Sequence, residues 1–407
     1  MKKNKRSLDS RLDYPLILPV LLLLLIGLGS IYIAVSHDYP IQVSRVMILQ
    51  SIWAILGIII AFIVMHFNSK YLWKLTPIFY VLGIILMILP LVFYDNQLVA
   101  ATGAKNWVSY NGKTYFQPSE LMKISYILMM AKIVTSYQSV QKATDLVDDF
   151  KLIFRLFLVT LPIIVLLKLQ NDFGTLLVFM AIFAGVVFVS GVSWKIIVPT
   201  ALTILIVGGG ILFLTTVDWG RNFLMSIGIE KYQIQRIDAW FHPFENAQNV
   251  TFQQAQGQIS VGIGGLTGYG FDVATLPVPV RESDMIFTVI AENFGFIGST
   301  CLILIYFFLI YRMIMATYNS NNQFYIYIST GIIMMILFHV FENIGATIGV
   351  LPLTGIPLPF ISQGGSSLIG NLIGVGLVLS MKYNQLEVDD DGIPNENGKV
   401  IYRRSSK

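Results

Sequence analysis

Charge is distributed along this chain in a way that no water-soluble fold uses. Eight apolar stretches of at least 19 residues contain no Asp, Glu, Lys or Arg: 14–37, 46–69, 75–94, 173–194, 196–217, 293–311, 313–341 and 343–381. About 20 apolar residues in a helix cross a bilayer core. Two weaker segments join them: 118–138, apolar apart from Glu120, Lys123 and Lys132, and 153–169, between Lys151 and Asp172. The window 343–381 is too rich in Pro and Gly over 349–362 to be one helix, so it ends one span and begins another. The pattern predicts an all-α integral membrane protein with ten transmembrane helices, near 14–35, 46–66, 72–93, 118–138, 153–169, 173–190, 195–216, 286–311, 324–348 and 363–383.

Composition agrees: 55% of the 407 residues are hydrophobic and 12% are charged, against about 25% charged in a soluble domain. The single cysteine, Cys301, excludes an intramolecular disulfide, and the four scattered histidines make a zinc or haem site a poor fit. Lys2, Lys3, Lys5, Arg6 and Arg11 precede the first apolar stretch, but Tyr14 to Val35 is longer than a signal-peptide core and reads as a retained span.

Ten spans put both termini on one side of a plasma membrane. Of the 27 Lys and Arg, 17 fall on that side, 8 on the other, and Lys123 and Lys132 lie within a span. The positive-inside rule makes the termini cytoplasmic, so the net charge of +4 reports orientation and not nucleic-acid binding. The membrane domain is 1–383 and the tail 384–407, with its Asp389-Asp390-Asp391 run, reads as disordered. The two longest connections then face outward, about 94–117 and 217–285. The second, between helices 7 and 8, is 69 residues long, carries eleven charges together with Trp219, Trp240, Phe241 and Phe244, and reads as structured.

In so apolar a chain, charges beside the hydrocarbon are the informative ones. Glu120 and Lys123, three apart at the start of the fourth span, share a helix face, either as a functional pair or as a self-neutralising cap. Asp172 opens the sixth span, where a helix cap alone explains an acid. Asp284 stands at the mouth of the eighth span and Glu292 eight residues deeper on the same face. An acid at the membrane boundary suits work on a lipid head group. A proton-coupled carrier places acids near the midplane, for which His339 and Glu342 are the nearest candidates. The glycine run 262–270 lacks the dinucleotide pattern, and no organic cofactor is expected. The Pro/Gly-rich run 351–367 implies irregular backbone lining a wet cavity.

Five ordered motifs now matter together: F-Q-P-S-E-x-x-K at 116–123, Q-N-D-F-G-T at 170–175, G-I-G-G-L-T-G-Y-G at 262–270, V-R-E-S-D-M-I-F-T-V-I-A-E-N-F-G at 280–295 and L-P-L-T-G-I-P-L-P-F-I-S-Q-G-G-S-S at 351–367. Over about 12–383 the chain resembles the SEDS family. Gln363 stands where division-type members carry tyrosine, which resembles the elongation type.

The resemblance implies a peptidoglycan glycosyltransferase that polymerises lipid II on the outer face during elongation, alongside a class B penicillin-binding protein and the elongation machinery. The family's essential outer-loop aspartate corresponds to Asp284, its acid and lysine to Glu120 and Lys123, a further acid to Asp172, and a basic position to Arg45. Ser362 and Gln363 fall in the last motif. Asn106, Tyr115 and Asn171 depart from residues common in the family, and Lys105 or Lys113 is the substitute expected for lost positive charge. In the chemistry implied, Asp284 is a general base and Lys123, Arg45 and Mg²⁺ or Mn²⁺ offset the charge of a pyrophosphate leaving group. The rival reading is a flippase carrying lipid II across the membrane, and a scaffold for the penicillin-binding partner is the third.

Overall fold

The computed structural model describes residues 12–140, 145–229, 231–245, 250–318, 320, 322–384, 393–394 and 400–401. The basic N-terminal cluster and most of the acidic tail lie outside the described residues. Within the tail, Ile393–Pro394 pairs antiparallel with Val400–Ile401.

The chain is an all-α, multi-pass membrane protein. Among the described residues, eight helices are long and apolar enough to span a bilayer: α1 (Tyr14–Asp38), α2 (Val43–Met65, entered through a 3₁₀ turn), α3 (Ser69–Val92), α6 (Leu146–Leu169), α8 (Trp194–Thr215), α12 (Ile286–Tyr318), α13 (Gln323–Thr347) and α14 (Gly365–Tyr383). Two others complete the sequence pattern without matching it fully: α5 (Pro118–Val140) carries Glu120, Lys123 and Lys132, and α7 (Phe173–Val189) has only 17 residues. Side chains stop and start these helices where the sequence turns polar. Asn68, Asp172, Ser193 and Asn322 each accept an N-terminal backbone N–H with a side-chain oxygen.

The connection after α3 holds a short helix, α4 (Asn96–Thr102), and a hairpin of β1 (Val108–Tyr110) and β2 (Lys113–Phe116). Its turn is Asn111-Gly112, both left-handed, as a two-residue hairpin requires. The long connection before α12 holds three short helices, α9 (Asp218–Ser226), α10 (Lys231–Phe241) and α11 (Val250–Ile263).

Lipid tails are as apolar as leucine, so close packing and polar contacts hold the bundle together. The centre is α5, α13 and α14, with α2 along α14, α3 along α5, α7 along α13, and α1 against α12. At Gly376 on α14 a Cβ would lie 2.6 Å from the Ala61 carbonyl oxygen, so glycine is what lets α2 approach. By contrast α8 packs mainly on α9 and α10.

The sequence suggests one uninterrupted span after Met285, but α12 is broken at Gly295, whose φ of 61° and ψ of −157° are open to glycine. The broken ladder is completed by the glycine run: Tyr269 and Gly270 donate to the carbonyls of Glu292 and Asn293, and Phe296 and Ile297 donate to those of Gly265 and Leu266. Lipid-depth backbone needs such partners.

Candidate functional site

The α3–α5, α6–α7, α8–α12 and α13–α14 connections meet at one end of the bundle and enclose a polar cavity of about 270 Å³. Asp284 lies on its wall. Its turn is set by backbone bonds: Ser283 and Met285 donate to the Val280 carbonyl, with Val280 at positive φ. The irregular 351–364 segment grips this turn. Gln363 N–H donates to the Glu282 carbonyl at 2.9 Å, the Ser362 hydroxyl donates to the Ser283 carbonyl at 2.7 Å, and Asn343 Nδ2 bridges the carbonyls of Asp284 and Ile356. Ser362 therefore acts on the backbone, while Gln363 also lines the cavity.

The Asp284 carboxylate accepts one side-chain hydrogen bond, from the Ser283 hydroxyl at 3.1 Å. Gly355, at φ 80°, faces it so closely that a Cβ there would sit 3.3 Å from Oδ2. Burial pushes the Asp284 carboxyl above its ordinary value, and the Ser283 hydroxyl and the Arg236 guanidinium partly offset that. A raised carboxylate facing a cavity is a better base than a solvated one. Glu282, beside it, is also pushed up, first by burial.

Glu120 and Lys123 line the cavity as a buried pair, Oε2 to Nζ 2.8 Å. Lys123 Nζ also lies 3.0 Å from Nε2 of His339. Asp172 is saturated as well as buried: it accepts from the N–H and hydroxyl of Thr175, from Asn106 and from Gln117. The cap reading of Asp172 accounts for its bonds to Thr175, and the bonds from Asn106 and Gln117 tie it to the α3–α5 connection besides.

Other residues from the sequence reading stand apart. Arg45 is exposed and lies outside the cavity wall, since the N-terminal end of α2 turns Gln50 and Trp53 inward to a side cavity and leaves Arg45 outside. Lys105 stacks 4.5 Å over the Tyr94 ring, while its neighbours Ala104 and Asn106 line the cavity. Lys113 is exposed on the hairpin. Glu292 does not line the cavity with Asp284: Ser260 and Thr275 occupy its carboxylate. His339 and Glu342 are not partners, because Glu342 is bonded to Thr354.

Arg236 is the cavity residue that sequence reasoning missed. It lies on α10 among the eleven charges of the long connection, and nothing in one sequence sets it apart from Lys231. Among the described residues no three His, Cys, Asp or Glu side chains converge as metal ligands. The carboxylates of Glu120 and Asp172 are already occupied by Lys123 and by their donors. Among the described residues the cavity does not supply a ready cage for Mg²⁺ or Mn²⁺.

Comparison with known proteins matches this arrangement along its length. The family described as cell cycle protein, which groups FtsW, RodA and SpoVE, matches residues 14–387. The probable peptidoglycan glycosyltransferase FtsW of Thiomicrospira cyclica is 30% identical over 93% of this chain and 94% of its own. Stage V sporulation protein E of Bacillus subtilis is 31% identical over 91% and 96%. Among solved structures, a chain from a peptidoglycan synthase complex that coordinates polymerization and crosslinking superposes with a TM-score of 0.72 at 27% identity, covering 92% of this chain and 98% of that one. The rod shape determining protein RodA of Thermus thermophilus gives 0.62 at 26%, covering 92% and 97%. With motifs, span pattern and both kinds of likeness in agreement from end to end, the chain belongs to the FtsW/RodA/SpoVE family.

Proposed function

We propose that this protein is a peptidoglycan glycosyltransferase that polymerises lipid II into glycan strands. The observation that carries the reading is a base-competent carboxylate, Asp284, in a polar cavity whose other wall presents Lys123, in a chain similar throughout to proteins named for this activity. Asp284 takes the proton of the acceptor sugar's 4-hydroxyl as that oxygen attacks the donor's anomeric carbon. The bond from that carbon to the pyrophosphate oxygen breaks, the pyrophosphate leaves with the electron pair, and the centre inverts. Lys123 and Arg236 face the departing charge. Pyrophosphate needs no protonation to leave, so one base suffices.

All elements lining the cavity come from one end of the bundle, which suits chemistry on one membrane face and gives no support to a path across. In this reading α5 and α7 also cross the bilayer, making ten spans. Both termini are cytoplasmic, and the connection between spans 7 and 8 is extracellular, in keeping with the 17 to 8 bias of basic residues. The partner is a class B penicillin-binding protein within the elongation machinery. Likeness to a chain from a synthase complex supports a crosslinking partner, and Gln363 supports the RodA-type role over the FtsW-type.

The test is polymerisation of labelled lipid II by the purified protein in detergent, with and without a class B penicillin-binding protein. Long strands from wild type and none from Asp284→Ala support the reading. No strands from either, with partner and divalent cation present, overturn it in favour of transport.

A further inference from the structure

We infer that His339 is a positioning residue that aims Lys123 at an anionic diphosphate, an inference that rests on the donor-binding role just given to Lys123. Packing of α13 against α5 brings together two residues that are 216 apart in sequence. A lysine ammonium has three N–H donors and accepts nothing. One donor goes to Glu120 at 2.8 Å, and another faces His339 Nε2 at 3.0 Å.

The second contact holds only if Nε2 carries a lone pair. The ring's other nitrogen settles that point. Nδ1 lies 2.6 Å from the Met335 carbonyl oxygen, and a carbonyl only accepts, so the single ring proton sits on Nδ1. His339 is therefore a neutral acceptor, held by its own helix and presenting Nε2 to the lysine. Lys123 and His339 are each about 2% exposed or less, and both line the cavity with Glu120. With two donors fixed, the third is left for the cavity.

The choice of imidazole matters electrostatically. Glu120 alone balances Lys123 to zero. A second carboxylate at position 339 would fix the ammonium equally well but give the cluster a net negative charge, which repels a diphosphate in a low-dielectric site. A neutral acceptor gives direction without that repulsion.

The experiment compares H339Q, H339E and H339L with wild type, each as the full purified chain in detergent. Binding of undecaprenyl pyrophosphate, kcat and KM for lipid II polymerisation, and melting temperature are read for all four. H339Q keeps a neutral acceptor and should bind within about threefold of wild type. H339L loses one hydrogen bond to a charged group, and H339E adds the repelling charge, so each should bind about tenfold more weakly or worse, with KM moving more than kcat. If H339L does not fold, H339Q against H339E still decides. Wild-type binding by H339E, or equal losses in H339Q and H339E, would overturn the inference. Wild type that binds the diphosphate yet makes no glycan would defeat the polymerase reading instead, and wild type that does not bind it would defeat both.

Discussion

Two acids eight residues apart, Asp284 and Glu292, show what separates a reactive carboxylate from a structural one. Asp284 precedes α12 and Glu292 lies within its second turn. Glu292 is fully buried and takes hydrogen bonds from the Ser260 hydroxyl and from both the N–H and the hydroxyl of Thr275. Its lone pairs are occupied, and its work is to tie α11 and the 264–275 segment to the helix. Asp284 has a single side-chain donor and an open side toward the cavity. Hydrogen-bond saturation, more than depth, marks the difference in role.

The largest expected break in this comparison is Asp284→Asn. Losing a general base costs about 10²–10⁴ in polymerisation rate. Stability should move the other way. The folded carboxyl is raised above 3.8, so its favourable contribution is full below that pH and is lost as pH rises through the folded value. At pH 7 the asparagine variant should melt at or above the wild-type temperature. A loss below tenfold in a well-folded variant would remove Asp284 from the role of base. On the acid side, wild-type polymerisation should fall away at a pH above that of an ordinary carboxylate.

Glu292→Leu should invert that pattern. It strands three donors at about 1–3 kcal/mol each at most, so melting should drop sharply while the folded fraction still polymerises at near wild-type rate. Denaturation curves alongside activity per folded molecule check this. Next in size is Gly355→Ala, which places a Cβ at positive φ against the Asp284 carboxylate. The strain is about 1–3 kcal/mol, and kcat should fall about tenfold with little change in KM. The smallest effect on rate belongs to Asp172→Asn, which keeps the Oδ1 acceptor at the α7 cap but sets an amide nitrogen against the donors of Asn106 and Gln117. Rate per folded molecule should stay within about threefold of wild type, while melting falls by less than in Glu292→Leu.

The spans were legible because the bilayer's demand is one-dimensional: a run of residues is either free of charge or it is not. Lys123 and Asp284 were legible because charge is scarce where they sit. The contacts that give them direction were not. Lys123 to His339 depends on how α5 and α13 lie together, and no local spacing encodes a pairing across 216 residues. Arg236 was hidden by the opposite problem, a polar segment in which one more arginine carries no signal. The break at Gly295 was missed because an apolar run containing a glycine reads the same whether or not the helix ladder is continuous. Arg45 and Lys105 show the converse error, since a charge near the right boundary can still point elsewhere.

The bareness of α8 has a consequence of another kind. Its apolar 18-residue stretch has no buried side chain, against 67% for α14, and a Cβ added at Gly208, Gly209 or Gly210 meets open space. Lipid reads such a segment for greasiness and ignores its shape. Its letters are therefore free to drift over generations so long as they stay apolar, while a single methyl on Gly376 is forbidden. For the experimenter the same freedom is practical: the triple glycine is a place to attach a spectroscopic reporter without disturbing a packed helix contact.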